Sequence, residues 1–139
     1  MQRIVIDTNV IVSALIGSGH PKKIIHDFVF GKKVIVCISA EIFAEYIEVL
    51  NRERFSKYPE FLTKAEIVLN KIEELSQKYF PEKAVTVIKD DKDNRFLELA
   101  EAADAEFLIT GNINDFTMKQ FGKTKIVSPE EYVNHFYTD

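Results

Sequence analysis

The chain reads as an α/β domain built on a mostly parallel sheet, and three observations say so. Short apolar runs alternate with longer helix-like segments almost from end to end, the pattern made by parallel strands joined through crossover helices. The runs, such as Ile4-Val5-Ile6 and Val34-Ile35-Val36-Cys37-Ile38, lack polar alternation, as strands covered on both faces should. Several helix-like segments also begin or end on residues that cap helices.

Taken in order, strands are predicted at residues 3–6, 33–38, 85–88, 107–109 and 125–127, which makes a central sheet of five. Pro21 opens a helical stretch that Gly31 closes, after the turn Gly17-Ser18-Gly19-His20. Ser39 can cap a helix running to about Leu50. The region from about 51 to 82 holds no strand in this reading and forms a helical insertion of two helices broken near Tyr58-Pro59, the second opened by a capping box at Thr63-Lys64-Ala65-Glu66. A helix over 93–104 is capped by Asp90 or Asp91. Ser128-Pro129-Glu130-Glu131 is a second capping box, with proline at the first helical position. The 139 residues, 46% apolar and 29% charged, suit one domain spanning 1–139 with one substantial core, and no repeat, low-complexity tract or linker divides them.

The lone cysteine, Cys37, lies inside an apolar run and has no disulfide partner, so a buried structural thiol is expected. No apolar segment approaches the roughly 20 residues that span a bilayer, and no signal-peptide pattern opens the chain, so the expected location is the cytoplasm. The formal net charge of −4 does not suggest a protein that coats nucleic acid through bulk charge, and it leaves room for local basic patches. Candidates are Arg52 and Arg54 with Lys57 and Lys64, and Lys119, Lys123 and Lys125.

Chemistry is suggested by four acids. Asp7 follows the first strand directly, Asp93 and Asp115 follow the predicted third and fourth strands, and Glu45 sits on the helix after the second. In an open parallel sheet, ligands bind outside the carboxyl ends of the strands, so acids from these positions would share one pocket. Carboxylates held close repel one another, and a hard cation with oxygen ligands is the usual resolution. The bland readings are specific: Asp7 in Asp7-Thr8-Asn9 suits a helix cap, and Glu41, Glu45 and Glu48 lie on one helix face where at least two should be ordinary exposed glutamates. Glu45 is singled out because Ala44 beside it would let a ligand approach.

The order and spacing of Ile4-Val5-Ile6-Asp7-Thr8-Asn9-Val10, Ser39 through Glu45, Asp93-Asn94 followed by Ala100, and Leu108-Ile109-Thr110-Gly111-Asn112 through Asp115-Phe116 resemble the PIN-domain nucleases, in particular the branch of toxin components of toxin–antitoxin pairs. The resemblance covers essentially the whole chain. It implies a three-layer α/β/α fold and cleavage of single-stranded RNA dependent on magnesium or manganese. By position it implies Asp7, Glu45, Asp93 and Asp115 as the catalytic and metal-binding acids, with Thr8, Asn9 and Thr110 as supporting polar groups. It also implies an RNA substrate, a cognate antitoxin and a homodimer as partners. The chain departs from the pattern at Asn112, where many members carry aspartate; the amide keeps an oxygen ligand but removes a charge, which bears on whether one or two metals bind.

Rival readings are weighed by the same residues. A phosphoacceptor receiver pairs two acids after its first strand and places a lysine after its fifth, whereas Asp7 is followed by Thr8-Asn9 and Lys125 stands at the start of the last strand rather than after it. A haloacid dehalogenase needs aspartate where Asn9 stands. A PIN domain that binds RNA or protein without cutting is kept open by Asn112.

Overall fold

The computed structural model describes all residues, Met1–Asp139. Its strands are β1 Arg3–Ile6, β2 Ile35–Ile38, β3 Gln77–Lys78, β4 Phe107–Ile109, β5 Gln120–Phe121 and β6 Thr124–Val127. Between them run α1 Thr8–Ile16, α2 His20–Lys23 with a wider helical continuation Ile24–Val29, α3 Ala40–Leu50, α4 Phe61–Leu75, α5 Asp91–Ala103, and α6 Pro129–Glu131 with a similar continuation to Phe136. The six strands form one sheet in the order β3-β2-β1-β4-β6-β5. All neighbours are parallel except the β5–β6 hairpin at one edge.

The order dictates where a ligand can sit. From β1 the chain steps outward to β2 and β3, then returns through α5 to β4 on the other side of β1. Right-handed crossovers put the outward connections on one face and the return on the other, giving the α/β/α layering. Accordingly α1, α3 and α4 pack on one another, while α5 packs against β1, β2 and β4. The connections from β1 and β4 leave in opposite directions, so a crevice opens at their carboxyl ends. In register, Ile6 lies opposite Ile109, which sets Asp7 beside Thr110.

The core follows the sequence pattern. Ile4, Val5 and Ile6 are completely buried, as are Leu108 and Ile109, within a single cluster of 40 buried apolar residues. Cys37 is buried and free, and burial pushes its thiol up to about 11, so it is inert. Ser39 caps α3 by accepting from the Ile42 amide, and Ser128 and Glu131 form the reciprocal capping box. Gly31 ends the α2 continuation where a side chain is impossible, since a Cβ there would stand 2.2 Å from the Asp27 carbonyl oxygen.

Three expectations fail, each for a tertiary reason. Residues 85–88 are not a strand, despite their β-branched composition. They lie as an irregular connection, bent at Val87 and Ile88 and held by side chains of α5: the Val85 amide donates to Glu98 Oε2 at 2.8 Å, the Ile88 amide donates to Asn94 Oδ1 at 2.9 Å, and Asn94 Nδ2 donates to the Ile88 carbonyl at 2.7 Å. Backbone groups that a sheet would have paired are satisfied this way, while Val85 and Ile88 still reach the core. The place beside β2 goes to β3, inside the stretch expected to be wholly helical, and the unforeseen β5, paired antiparallel with β6, makes the sheet six strands and not five. Finally, α4 begins at Phe61, two residues ahead of the expected box, with Glu60 in the left-handed region and no side-chain cap. Burial of Phe61, stacked on Phe55 with centroids 4.9 Å apart, outweighs the capping preference of Thr63.

Asn94 is completely buried and carries two of these bonds. Replacing it by alanine strands an amide and a carbonyl, so Asn94→Ala should lower unfolding free energy by about 2–4 kcal/mol. Urea denaturation measures it; a loss within about 0.5 kcal/mol, the size of an ordinary surface substitution, would mean that water replaces both bonds.

Candidate functional site

At the crevice, β1 delivers Asp7 at the point where extended chain turns into α1. Asp7 occupies the N-cap position of α1, yet its side chain makes no capping hydrogen bond. Its Oδ2 accepts instead from Thr110 Oγ1 at 2.7 Å, from the end of β4. Thr110 also accepts from the Asn112 amide at 3.0 Å, which fixes its hydroxyl between the carboxylate and the following turn. The Asp7 amide donates to the Ile109 carbonyl at 2.9 Å, so β1 and β4 stay joined up to the carboxylate. Asp7 is 6% exposed and Thr110 not at all.

The other acids arrive on separate elements. Glu45 projects from α3 and accepts from Thr8 Oγ1 through Oε2. Its two neighbours on that helix are used elsewhere, Glu48 in an ion pair with Arg52 at 2.8 Å and Glu41 in one with Arg95 at 3.2 Å. Asp90 caps α5 by accepting from the Lys92 amide, and Asp93 stands in the first turn of that helix. Asp115 ends a short helical turn, Ile113–Asp115, beyond β4. Asp7, Glu45, Asp93 and Asp115 all line one cavity of about 210 Å³, together with Thr8, Asn9 and Asn112. Thr110 lies behind that surface and touches the site through Asp7. Ala44 faces a different cavity, beside Phe43 and Ile47, so it does not open an approach to Glu45.

The electrostatics record the crowding. Burial raises the Asp7 pKa above its ordinary value and the nearby Glu45 adds to it, against lowering by Thr110 and the amides of Asn9 and Thr8. Asp93 is pushed up to about 6, first by burial and then by Asp7, Asp90, Asp115 and Glu45. Below them Tyr46, fully buried, donates its hydroxyl to the Ile6 carbonyl; burial, then Asp7 and Glu45, raise its pKa well above the usual tyrosine range.

The donors suit a hard cation in kind, being carboxylate, amide and hydroxyl oxygens with negative charge in excess. They stand on several walls of the cavity, and no three of the acids gather into a closed ligand set. Magnesium tolerates such an arrangement, because it keeps several of its own waters and takes few protein ligands.

Against known proteins, the PIN domain family matches residues 3–114. The chain belongs to the PIN-domain family. It is also similar to the uncharacterized protein MJ1680 of Methanocaldococcus jannaschii, 28% identical over 143 residues, covering 96% of this chain and 91% of the relative. PIN domains are a family of nucleases that generally use divalent metal ions, in keeping with the chemistry of this donor set. No helix of this PIN domain is long and apolar enough to cross a membrane.

Sequence reasoning did not foresee every wall of the cavity. Arg52 and Arg54 were candidates for a basic patch, and both line the acidic cavity, joined by Lys92 and Asp90. Lys57, Lys64, Lys119, Lys123 and Lys125 do not. The signal for Lys92 was its place in Asp90-Asp91-Lys92-Asp93, one residue from a site acid, where a cation among acids is easily dismissed as solvated. Val49 and Phe96 supply apolar walls, and Asn94 and Glu98 position the segment that leads to Asp90.

Folding raises the Asp93 pKa from 3.8 to about 6, so across that window the native state keeps a proton that the unfolded chain has released. That contribution to stability is complete below the window and lost as pH rises through it, and Asp7 acts in the same direction. In chelator the melting temperature should therefore fall between about pH 4 and pH 6, and Asp93→Asn should flatten the fall. Calorimetric scans across that range check it; equal slopes in the two proteins would rule out Asp93 as the source.

Proposed function

We propose that this PIN domain is an endoribonuclease that hydrolyses phosphodiester bonds of single-stranded RNA with the help of magnesium or manganese. The observation that carries the reading is the meeting of Asp7, Glu45, Asp93 and Asp115, from four separate segments, on one cavity at the sheet's switch point. Nothing in folding favours assembling like charges there, and the Asp93 pKa is pushed up to about 6, first by burial and then by the neighbouring acids. A function that needs the cluster accounts for it.

Asp7 and Asp93 are the principal candidates to hold an ion, with Asp115 direct or through water. When bound, a divalent ion would supply a water of lowered pKa and offset charge building on the phosphoryl oxygens. The chain's own groups do the positioning. Thr110 fixes the rotamer of Asp7 through its hydrogen bond, and Thr8 does the same for Glu45, the task of groups behind the ligands. Glu45, if not itself a ligand, can accept a proton from the attacking water or orient it. Asn112 adds a neutral oxygen at the rim, consistent with one tightly held ion rather than two.

The biological role we propose is toxin of a toxin–antitoxin pair, acting in the cytoplasm, with a cognate antitoxin as protein partner and a homodimer as its assembly. A second reading, a PIN domain that binds RNA or protein without cutting, is favoured by Asn112 and by the open arrangement of the acids.

Asp7→Asn removes a charge at nearly constant volume. With a single-stranded RNA and manganese, it should reduce cleavage by at least a hundredfold while circular dichroism stays native; full activity in the mutant would remove Asp7 from the site. No cleavage by the wild type with either ion, together with retained RNA binding, would select the non-cutting reading. Asn112→Asp should tighten manganese binding about tenfold, since a charged ligand contributes about 1–3 kcal/mol more than a neutral one. Titration calorimetry measures it, and equal affinities would show that Asn112 does not face the ion.

A further inference from the structure

The acids of the cavity present a difficulty for a polyanionic substrate, because a nucleotide strand approaching Asp7, Glu45, Asp90, Asp93 and Asp115 meets the same sign of charge. The cavity contains its own answer. Arg52, Arg54 and Lys92 line it along with the acids, Arg52 and Arg54 from the turn that follows α3 and Lys92 from the first turn of α5.

Their place in an acidic cavity distinguishes them from ordinary surface cations. Arg95, nearby on α5, is consumed by ion pairs to Glu41 and Glu98. Arg52 is held by Glu48 through two hydrogen bonds, at 2.8 and 3.3 Å, which orient its guanidinium. Arg54 and Lys92 make no ion pair with any carboxylate, although carboxylates surround them. Arg54 rests over the Phe55 ring, 4.8 Å from its centroid, and that ring is locked by stacking on Phe61. A guanidinium held by a fixed aromatic face keeps its donors free for an anion. Lys89 lines the adjoining cavity with Asp90, Asp93, Asp115 and Thr117, so a basic residue also stands where a strand leaving the acids would pass.

We propose that Arg54 and Lys92, with Arg52 beside them, form a phosphate-binding wall that takes the backbone of single-stranded RNA next to the bond to be cut. The inference rests on the ribonuclease reading of the same cavity and names how its substrate is held. The wall reads phosphates and not bases, so it contributes to affinity and register without sequence preference.

The test uses full-length protein and a fluorescent single-stranded RNA, followed both by anisotropy in calcium and by cleavage in manganese, over a series of salt concentrations. Arg54→Gln and Lys92→Gln should each weaken binding and raise KM about tenfold, leave kcat within about twofold, and reduce the slope of log affinity against log salt by about 0.7 per lost contact. Arg54→Lys, which keeps the charge, should retain most of the slope, whereas a merely structural arginine would not be rescued in that measure. Binding, KM and salt slope all unchanged in both glutamine variants would overturn the wall. If the wild type binds RNA but never cuts it, the ribonuclease reading fails, and loss of binding in the variants still supports the wall. The same losses are expected with a single-stranded DNA of the same sequence, which carries the same phosphates, and losses confined to RNA would overturn contact through phosphate.

Discussion

Asp7 is held nearly out of water at the point where the sheet changes direction, and the hydrogen bond that Thr110 gives it ties β1 to β4 there. Much of the molecule is arranged around that carboxylate. The strand order brings β4 beside β1 only because α5 carries the chain back across the sheet, and the same helix supplies Asp93 in its first turn. The α3 helix lays Glu45 against Thr8 from the opposite side, and Tyr46, its next residue, bonds the carbonyl of Ile6 just before Asp7. A carboxylate so buried is costly in its charged form, and the raised pKa values of Asp7 and Asp93 register that cost. Like charges therefore share the crevice, and two of them, Asp7 and Glu45, accept hydrogen bonds from the hydroxyls of Thr110 and Thr8.

Much of this was legible in the sequence because it depends on local pattern. Apolar runs without alternation gave away β1, β2, β4 and β6, and polar residues immediately after β1 and β4 gave away the crevice. Ser39, Asp90 and Ser128 cap the helices their positions suggest. The spacing of the acids, each attached to a different element, places them at one edge of the sheet, and all four line one cavity without closing into a ligand set.

What stayed hidden depended on partners distant in sequence. Val85-Thr86-Val87-Ile88 has every local mark of a strand, and only Asn94 and Glu98, which take its amides, keep it out of the sheet. Gln77-Lys78 has none of those marks and pairs with Cys37 and Ile38 because α4 ends beside β2. Phe61 starts a helix without a cap because Phe55 waits for its ring. The basic residues were ambiguous for a similar reason: seven stood out as possible patches, and proximity in space, which composition does not report, selects Arg52 and Arg54 and adds Lys92.

The central claim is that acids lining the β1–β4 crevice hold a divalent ion there. Crystals grown with manganese and measured at its absorption edge test it most directly. The account predicts an anomalous peak in the cavity within about 2.0–2.6 Å of carboxylate oxygens of Asp7 and at least one of Asp93, Asp115 and Glu45, a range that brackets hard-cation ligand distances. A well-ordered site with no such peak, or manganese bound only elsewhere on the molecule, would contradict it.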